Sequence, residues 1–424
     1  MPQTDPELRR AEPPQNPFPR HRGTHGPAEA ASTSERADAD WLSQNWRRAD
    51  PWLYVPAILL ILIGSLMVLN TTYFLSRAKT GDGFHYFKAQ LAHIAVGAVI
   101  GALLSQFSLA GLRRLAAPLA IVSVAMLIAV WIPGLGLVRG GARRWVRLGP
   151  MLAEPSELLK LALVFFLADF LARREKRIQQ LKTGVMPVIV IMLLLVAILV
   201  KQPDFGSAVI VVLLTFVMLL TAGAKLKHLT ALGGAALAGL TLLAIAQPYR
   251  IKRVAAFLDP WRTAQGAGFQ LIQSFIALGE GGEWGQGLGA GQQKMFYLPQ
   301  AHTDFVFAVV TDDFGLVGAL AVLGLFAVLL LRGMRMAHAE ADSFGSLLGF
   351  GISSLFALQV LINIAVVIGL VPTKGLPLPF LSYGGSSIIM ALAQLGVLLA
   401  LSRRPILRTV PKLQYSVRQR PNQN

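Results

Sequence analysis

A chain of 424 residues that is 54% hydrophobic and only 14% charged holds more apolar side chains than a soluble globule can bury, and too few charges to cover one. The mean hydropathy of +0.56 points the same way, to an integral membrane protein. The formal net charge of +17 does not make it a nucleic-acid binder, because the basic residues are scattered between apolar runs with no stacking platform, and the lack of cysteine excludes disulfides, thiolate nucleophiles and cysteine-held metals.

Residues 1–48 are rich in Pro, Arg, Glu and Ala with no apolar period, so a disordered cytoplasmic tail is expected there. No signal peptide precedes the first apolar run, Trp52 to Tyr73. It is therefore expected to be a retained anchor, with Arg47 and Arg48 marking its cytoplasmic side. Further runs of membrane-crossing length follow at 88–107, 112–132, 155–172, 185–201, 204–223, 228–247, 305–331, 345–371 and 385–402. That makes about ten spans. Threaded from an inside N-terminus, they put Arg113-Arg114, Arg173 to Arg177, Lys225, Lys227, Arg332, Arg335 and the basic tail 405–424 in the cytoplasm, as the positive-inside rule asks. The expected architecture is an all-α polytopic bundle over 49–404.

Three segments then face outward: 133–154, the long loop 248–304, and 372–384. So long a loop is uncommon unless it is functional. Its second half holds Gly281, Gly282, Gly285, Gly287 and Gly289, which either permit close backbone approach to a ligand or are flexible slack. The outward segments also break the charge bias. Arg139, Arg143, Arg144 and Arg147 stand together, and Arg250, Lys252 and Arg253 open the long loop. Such clusters suit an anionic ligand such as a pyrophosphate, although snorkelling to lipid headgroups is the plainer reading.

Several polar residues fall at the ends of apolar runs. Glu157 and Lys160, at i,i+3, share one helix face, so they form either a locking ion pair or a ligand contact through Lys160. Gln202 and Asp204 flank Pro203 between two spans, where they line a cavity or cap a tight turn. Asp304 ends the long loop where the eighth span begins, and is either a functional carboxylate or a helix cap. His302 beside it does not make a metal site alone. Asp312 and Asp313, about 12 Å deeper on a continuous helix, are read as a cation or proton site or as partners of neighbouring basic groups. Lys374 is the only charge in the Pro- and Gly-rich segment before the last span, whose first residues, Ser386 and Ser387, can cap it.

Together these segments resemble the SEDS family of bacterial cell-envelope proteins (shape, elongation, division, sporulation), which includes the FtsW and RodA types. Asn363, Gly369, Pro372, Gly375, Ser382, Tyr383, Gly384, Gly385, Ser386 and Ser387 fill its signature. Also similar are Gly141 to Trp145, Pro155 to Lys160, Gln202 to Gly206, Asp259 to Trp261 and His302 to Phe305. Two departures are Glu154, where the family usually has Gln, and Thr311 to Phe314, where it usually has Gly-Glu-Glu-Leu.

The resemblance implies a membrane-embedded fold like the GT-C glycosyltransferases and a peptidoglycan glycosyltransferase. Its substrate is lipid II, the undecaprenyl-pyrophosphate-linked disaccharide-pentapeptide, polymerised at the outer face of the cytoplasmic membrane. Asp304 is the expected general base. Arg143, Arg144, Lys160, Arg253 and Lys374 are the expected pyrophosphate contacts, supported by Trp145, Glu157, Gln202, Asp204, His302, Ser386 and Ser387. A divalent cation, Mg or Mn, could share that task, but no ligand set is evident. The family also implies a class B penicillin-binding transpeptidase as partner, alongside other division proteins, and the long tails favour the FtsW division type. A lipid II flippase and a non-catalytic division scaffold are the alternatives, and the concentration of polar groups in the outward segments favours the enzyme.

Overall fold

The computed structural model describes residues 49–139, 141–149, 151–245, 248–266, 268–289, 301–373 and 375–403. Both expected tails and Lys374 lie outside the described residues. The elements run α1 (Pro51–Thr80), α2 (His85–Leu104), α3 (Leu109–Ala129), β1 (Gly136–Arg139), β2 (Ala142–Leu148), β3 (Met151–Ala153), α4 (Pro155–Ala172), α5 (Met186–Lys201), α6 (Phe205–Thr221), α7 (Leu226–Ile245), α8 (Pro248–Leu258), α9 (Phe269–Gly281), α10 (Val306–Ala339), α11 (Ser343–Val367) and α12 (Gly385–Ser402).

Lipid offers the backbone no hydrogen bonds, so an apolar run can cross it only by satisfying its own, as a helix does. Among the described residues, seven helices are long and apolar enough to do so: α1, α2, α3, α5 with the π turn that leads into it, α10, α11 and α12. The remaining three expected spans are α4, α6 and α7, of 18, 17 and 20 residues. The chain is thus a multi-pass membrane protein. Its helix ends carry ordinary signals. Asp50 Oδ1 accepts from Trp52 N–H (3.0 Å) at the start of α1, and Asp342 Oδ1 accepts from Gly345 N–H (2.9 Å) at the start of α11.

Without a hydrophobic force between helices in lipid, close packing through small residues holds the bundle together. α2 and α12 show this best. A Cβ on Gly101 would lie 2.5 Å from the Leu392 carbonyl oxygen, and one on Gly396 would lie 2.2 Å from that of Gly101. Polar contacts tie the helix ends on one side of the bundle: Arg113 pairs with Asp169 (2.6 Å), Arg332 with Asp50, Ser343 Oγ donates to Glu175 (3.0 Å), and Arg403 donates to the Ser105 carbonyl (3.1 Å). Apart from the short turns at 173–185, the larger irregular pieces lie at the other end.

The first irregular piece is a departure from an all-helical reading. Segment 136–153 folds as a three-stranded antiparallel sheet in the order β1-β2-β3, with Val146 opposite both Gly136 and Ala153. The second is the long loop, which is not slack where it is described: it holds α8 and α9. Two of its glycines, Gly281 and Gly285, serve packing, contrary to their reading as a ligand approach, whereas a Cβ on Gly282, Gly287 or Gly289 would meet open space. A Cβ on Gly281 would lie 2.1 Å from the Thr311 carbonyl oxygen, and one on Gly285 2.3 Å from that of Asp313.

That packing goes with a break in α10. Gly315 takes φ 67°, ψ −165°, a conformation other residues rarely adopt. The backbone groups freed around it pair with the turn after α9: Leu316 N–H with the Gly282 carbonyl (2.9 Å), Val317 N–H with that of Glu283 (3.2 Å), and Gln286 N–H with that of Asp312 (2.9 Å). The break comes after Asp312 and Asp313, which lie about two turns down the helical stretch that begins at Val306. They end a short helical piece that precedes the span proper, and Asn70 of α1 donates to Asp313 Oδ2.

Candidate active site

Four irregular pieces meet at this end: β2, the β3–α4 junction, the loop before α10 and the segment before α12. Between them lies a cavity of about 390 Å³ whose wall includes Arg144, Trp145, Glu154, Arg253, Gln270, Asp304, Gly375, Ser386 and Ser387.

Asp304 is held by its backbone. Its carbonyl accepts from Asn363 Nδ2 (2.9 Å), and the same amide nitrogen donates to the Leu376 carbonyl (2.7 Å), tying the loop before α10 to the segment before α12. The neighbouring Thr303 carbonyl accepts from Ser382 Oγ, which itself accepts from Leu378 N–H (2.8 Å). Gly375 leaves the carboxylate uncovered, since a Cβ there would come within 3.2 Å of Asp304 Oδ2. Burial pushes the Asp304 carboxyl up to about 7, against the opposing pull of Arg253, Arg144 and a hydrogen bond from Thr303.

Carbonyls help to fix the two arginines. Arg144 Nη2 donates to Pro203 O (2.8 Å), and Arg253 Nη1 donates to Thr373 O (2.9 Å). Arg143, next to Arg144 on the strand, has its side chain exposed and does not line the cavity. Trp145 does.

Lys160 takes the ion-pair alternative. Its Nζ lies 2.7 Å from Glu157 Oε1, and the two side chains are 0% and 4% exposed. Neither reaches the cavity wall. Gln202 is buried and donates to the Leu127 carbonyl (2.7 Å). Asp204 caps α6 by accepting from Ser207 N–H (3.1 Å), while its buried Oδ2 has no hydrogen-bond partner. His302 packs among Tyr86 and Tyr383, its carbonyl accepts from Tyr383 N–H (2.7 Å), and burial, then Lys79, pulls it down to about 4. Ser386 and Ser387 line the cavity, but they do not cap α12, which has no side-chain cap. The helix starts at Gly385, so both serines already lie inside its first turn, and Ser386 Oγ accepts from Glu154 N–H instead (2.9 Å).

Glu154 is an acidic residue of the cavity wall that is absent from the expected site, as is Gln270. Burial first, then Asp204 and Glu157, push its carboxyl up to about 8, against Lys160 and Arg144. The sequence signal was its departure from the usual Gln; the residues that face it come from other segments. As for a metal, no three His, Cys, Asp or Glu side chains converge among the described residues. Asp304 and Glu154 share their cavity with two guanidinium groups, so this donor set does not fit a divalent cation.

A multi-pass helical bundle that gathers a raised carboxyl and two fixed arginines around one cavity is a membrane-embedded enzyme. Residues 51–405 match the cell cycle protein family of FtsW, RodA and SpoVE. The chain belongs to that family. It is 41% identical to a probable peptidoglycan glycosyltransferase FtsW of Trichlorobacter lovleyi over 350 residues, 82% of this chain and 92% of that one. It is also 41% identical to stage V sporulation protein E of Bacillus subtilis, over 84% of this chain and 97% of that one. Among solved structures it resembles one described as coordinating polymerization and crosslinking in a peptidoglycan synthase complex, with TM-score 0.69, 33% identity, and 84% and 98% of the two chains covered. The rod shape determining protein RodA of Thermus thermophilus is similar as well, with TM-score 0.61, 28% identity, and 85% and 98% covered.

Proposed function

We propose that this chain is a peptidoglycan glycosyltransferase that polymerises lipid II for septal wall synthesis in cell division, with Asp304 as its general base. The observation that carries this is the placing of Asp304 in one cavity with Arg144 and Arg253. In the reaction a sugar hydroxyl of one lipid II attacks the anomeric carbon of another. The new C–O bond forms as the bond to pyrophosphate breaks, and the hydroxyl proton must go to a base. A carboxyl raised to about 7 is suited to take it at neutral pH. The departing pyrophosphate carries the charge, and arginines already fixed by carbonyl contacts meet it with little reorganisation. The cavity opens to the outer side of the cytoplasmic membrane, both termini lie inside, and a class B penicillin-binding transpeptidase cross-links the product.

The test is polymerisation of lipid II by the purified full chain together with its transpeptidase, with and without Asp304→Ala. The expected result is glycan strands from the native chain and none from a folded variant that still binds lipid II. Strands from the variant would remove Asp304 as the base. Transfer of lipid II across vesicles by both proteins, without polymer from either, would replace the enzyme by a flippase.

A further inference from the structure

We propose that Glu154 is a further substrate-contacting residue: in its neutral form it donates a hydrogen bond to the pyrophosphate of the bound lipid, and its ionisation weakens that binding. This rests on the reading of the cavity as a pyrophosphate site.

Placement comes first. Glu154 lines the same cavity as Arg144, Arg253 and Asp304, at the junction of β3 and α4, and its backbone N–H is held by Ser386 Oγ (2.9 Å). Its surroundings come next. From the turn between α5 and α6 it faces Asp204, whose Oδ2 is buried with no hydrogen-bond partner. From α4 it faces Glu157 and Lys160, and from β2 it faces Arg144. Of the cations, Lys160 is paired with Glu157 at 2.7 Å, and Arg144, held by the Pro203 carbonyl, is shared with the rest of the cavity. Added negative charge at Glu154 therefore meets two acids, with Arg144 the one nearby cation not paired with Glu157. A neutral carboxyl offers one O–H donor, whereas a carboxylate only accepts. Against a pyrophosphate the first binds and the second repels. The raised titration of Glu154, to about 8, keeps the donor form dominant at neutral pH.

Binding of a polyprenyl pyrophosphate to the full chain in lipid nanodiscs tests this at pH 7 and pH 9. The Asp304→Asn background is used so that Asp304 does not titrate. Only the protonated fraction binds, so affinity should fall about tenfold from pH 7 to pH 9. Glu154→Gln, which keeps a donor and cannot ionise, should bind equally at the two values, near the pH 7 affinity of its parent. Glu154→Ala should also be flat, but about tenfold weaker at pH 7. A parent whose affinity does not change with pH would overturn the inference, as would a Gln variant that keeps the alkaline loss or binds as weakly as the Ala variant. Failure of the native chain to bind the probe at any pH would remove the pyrophosphate reading itself, and the inference with it.

Discussion

Two carboxylates named from the sequence have opposite fates. Asp304 stands half-buried against a cavity, whereas Glu157 is closed off by Lys160. For Asp304 the sign of the pH effect is fixed by its proposed role as the base. A base must be ionised to accept a proton, so with its carboxyl raised to about 7 the turnover rate should climb as pH rises through 7. Below that value it should fall about tenfold per pH unit. Asp304→Asn should remove this rising limb along with about 10²- to 10⁴-fold of kcat, leaving lipid II binding in place. Steady-state polymerisation rates from pH 5.5 to 8 check both, and a limb that survives in the Asn variant would assign it to another group. For the buried pair the expected change is in stability. Lys160→Met leaves the Glu157 carboxylate buried without its cation and should cost about 3–5 kcal/mol, most of it recovered by adding Glu157→Gln. Melting midpoints in detergent for the two variants measure this; an unchanged midpoint for the single variant would mean that water reaches Glu157. The i,i+3 spacing made this pair legible in advance, since two charges on one apolar helix face have few other partners. Glu154 was not legible as a site residue because Asp204 and Arg144, which face it, belong to other segments of the chain.

Helices were easier to read than the pieces that join them. An apolar run of bilayer length leaves the backbone little choice, so each of the ten runs folds as a helix, seven of them long and apolar enough to cross a bilayer. The sheet at 136–153 escaped notice because its strands are short and crowded with arginine, which masks any apolar alternation. The break in α10 escaped for a different reason: the sequence shows a glycine, not its dihedral angles. Gly315 now carries a clear expectation. Its φ of 67° and ψ of −165° strain any side chain, and a Cβ there would lie 2.3 Å from the Glu283 carbonyl oxygen and 2.4 Å from Gly285 N. Gly315→Ala should therefore destabilise the protein by about 2 kcal/mol or more and loosen the turn after α9 from α10. Thermal melting together with limited proteolysis near residues 282–289 is the measurement. An alanine variant as stable and as resistant as the native chain would show that the break is not held by this contact.

At the scale of the whole molecule, function depends on a division of labour between the two ends. One end is tied by Arg113–Asp169, Arg332–Asp50 and Ser343–Glu175, contacts that join helix termini and leave no large irregular segment between them. The other end spends its sequence on β1 to β3, α8, α9 and the segment before α12, and these surround the cavity. The basic clusters at Arg113, Arg173 and Arg332 belong to the tied end. The proposed topology, which follows the positive-inside rule, has that end in the cytoplasm and the cavity outside, where a polymer of cell-wall sugar is needed. The chain has no cysteine, so an introduced one is its only thiol. Val138, in β1, is 57% exposed, and Lys176, at the tied end after α4, is also exposed. A membrane-impermeant maleimide added to spheroplasts should label Val138→Cys at once and reach Lys176→Cys only after lysis. The reverse pattern would turn the bundle over and put the cavity on the cytoplasmic side, where it could not extend an external glycan. Labelling of both from outside would break the alternation expected of ten spans and, with it, the proposed placing of Asp304 on the same side as β1.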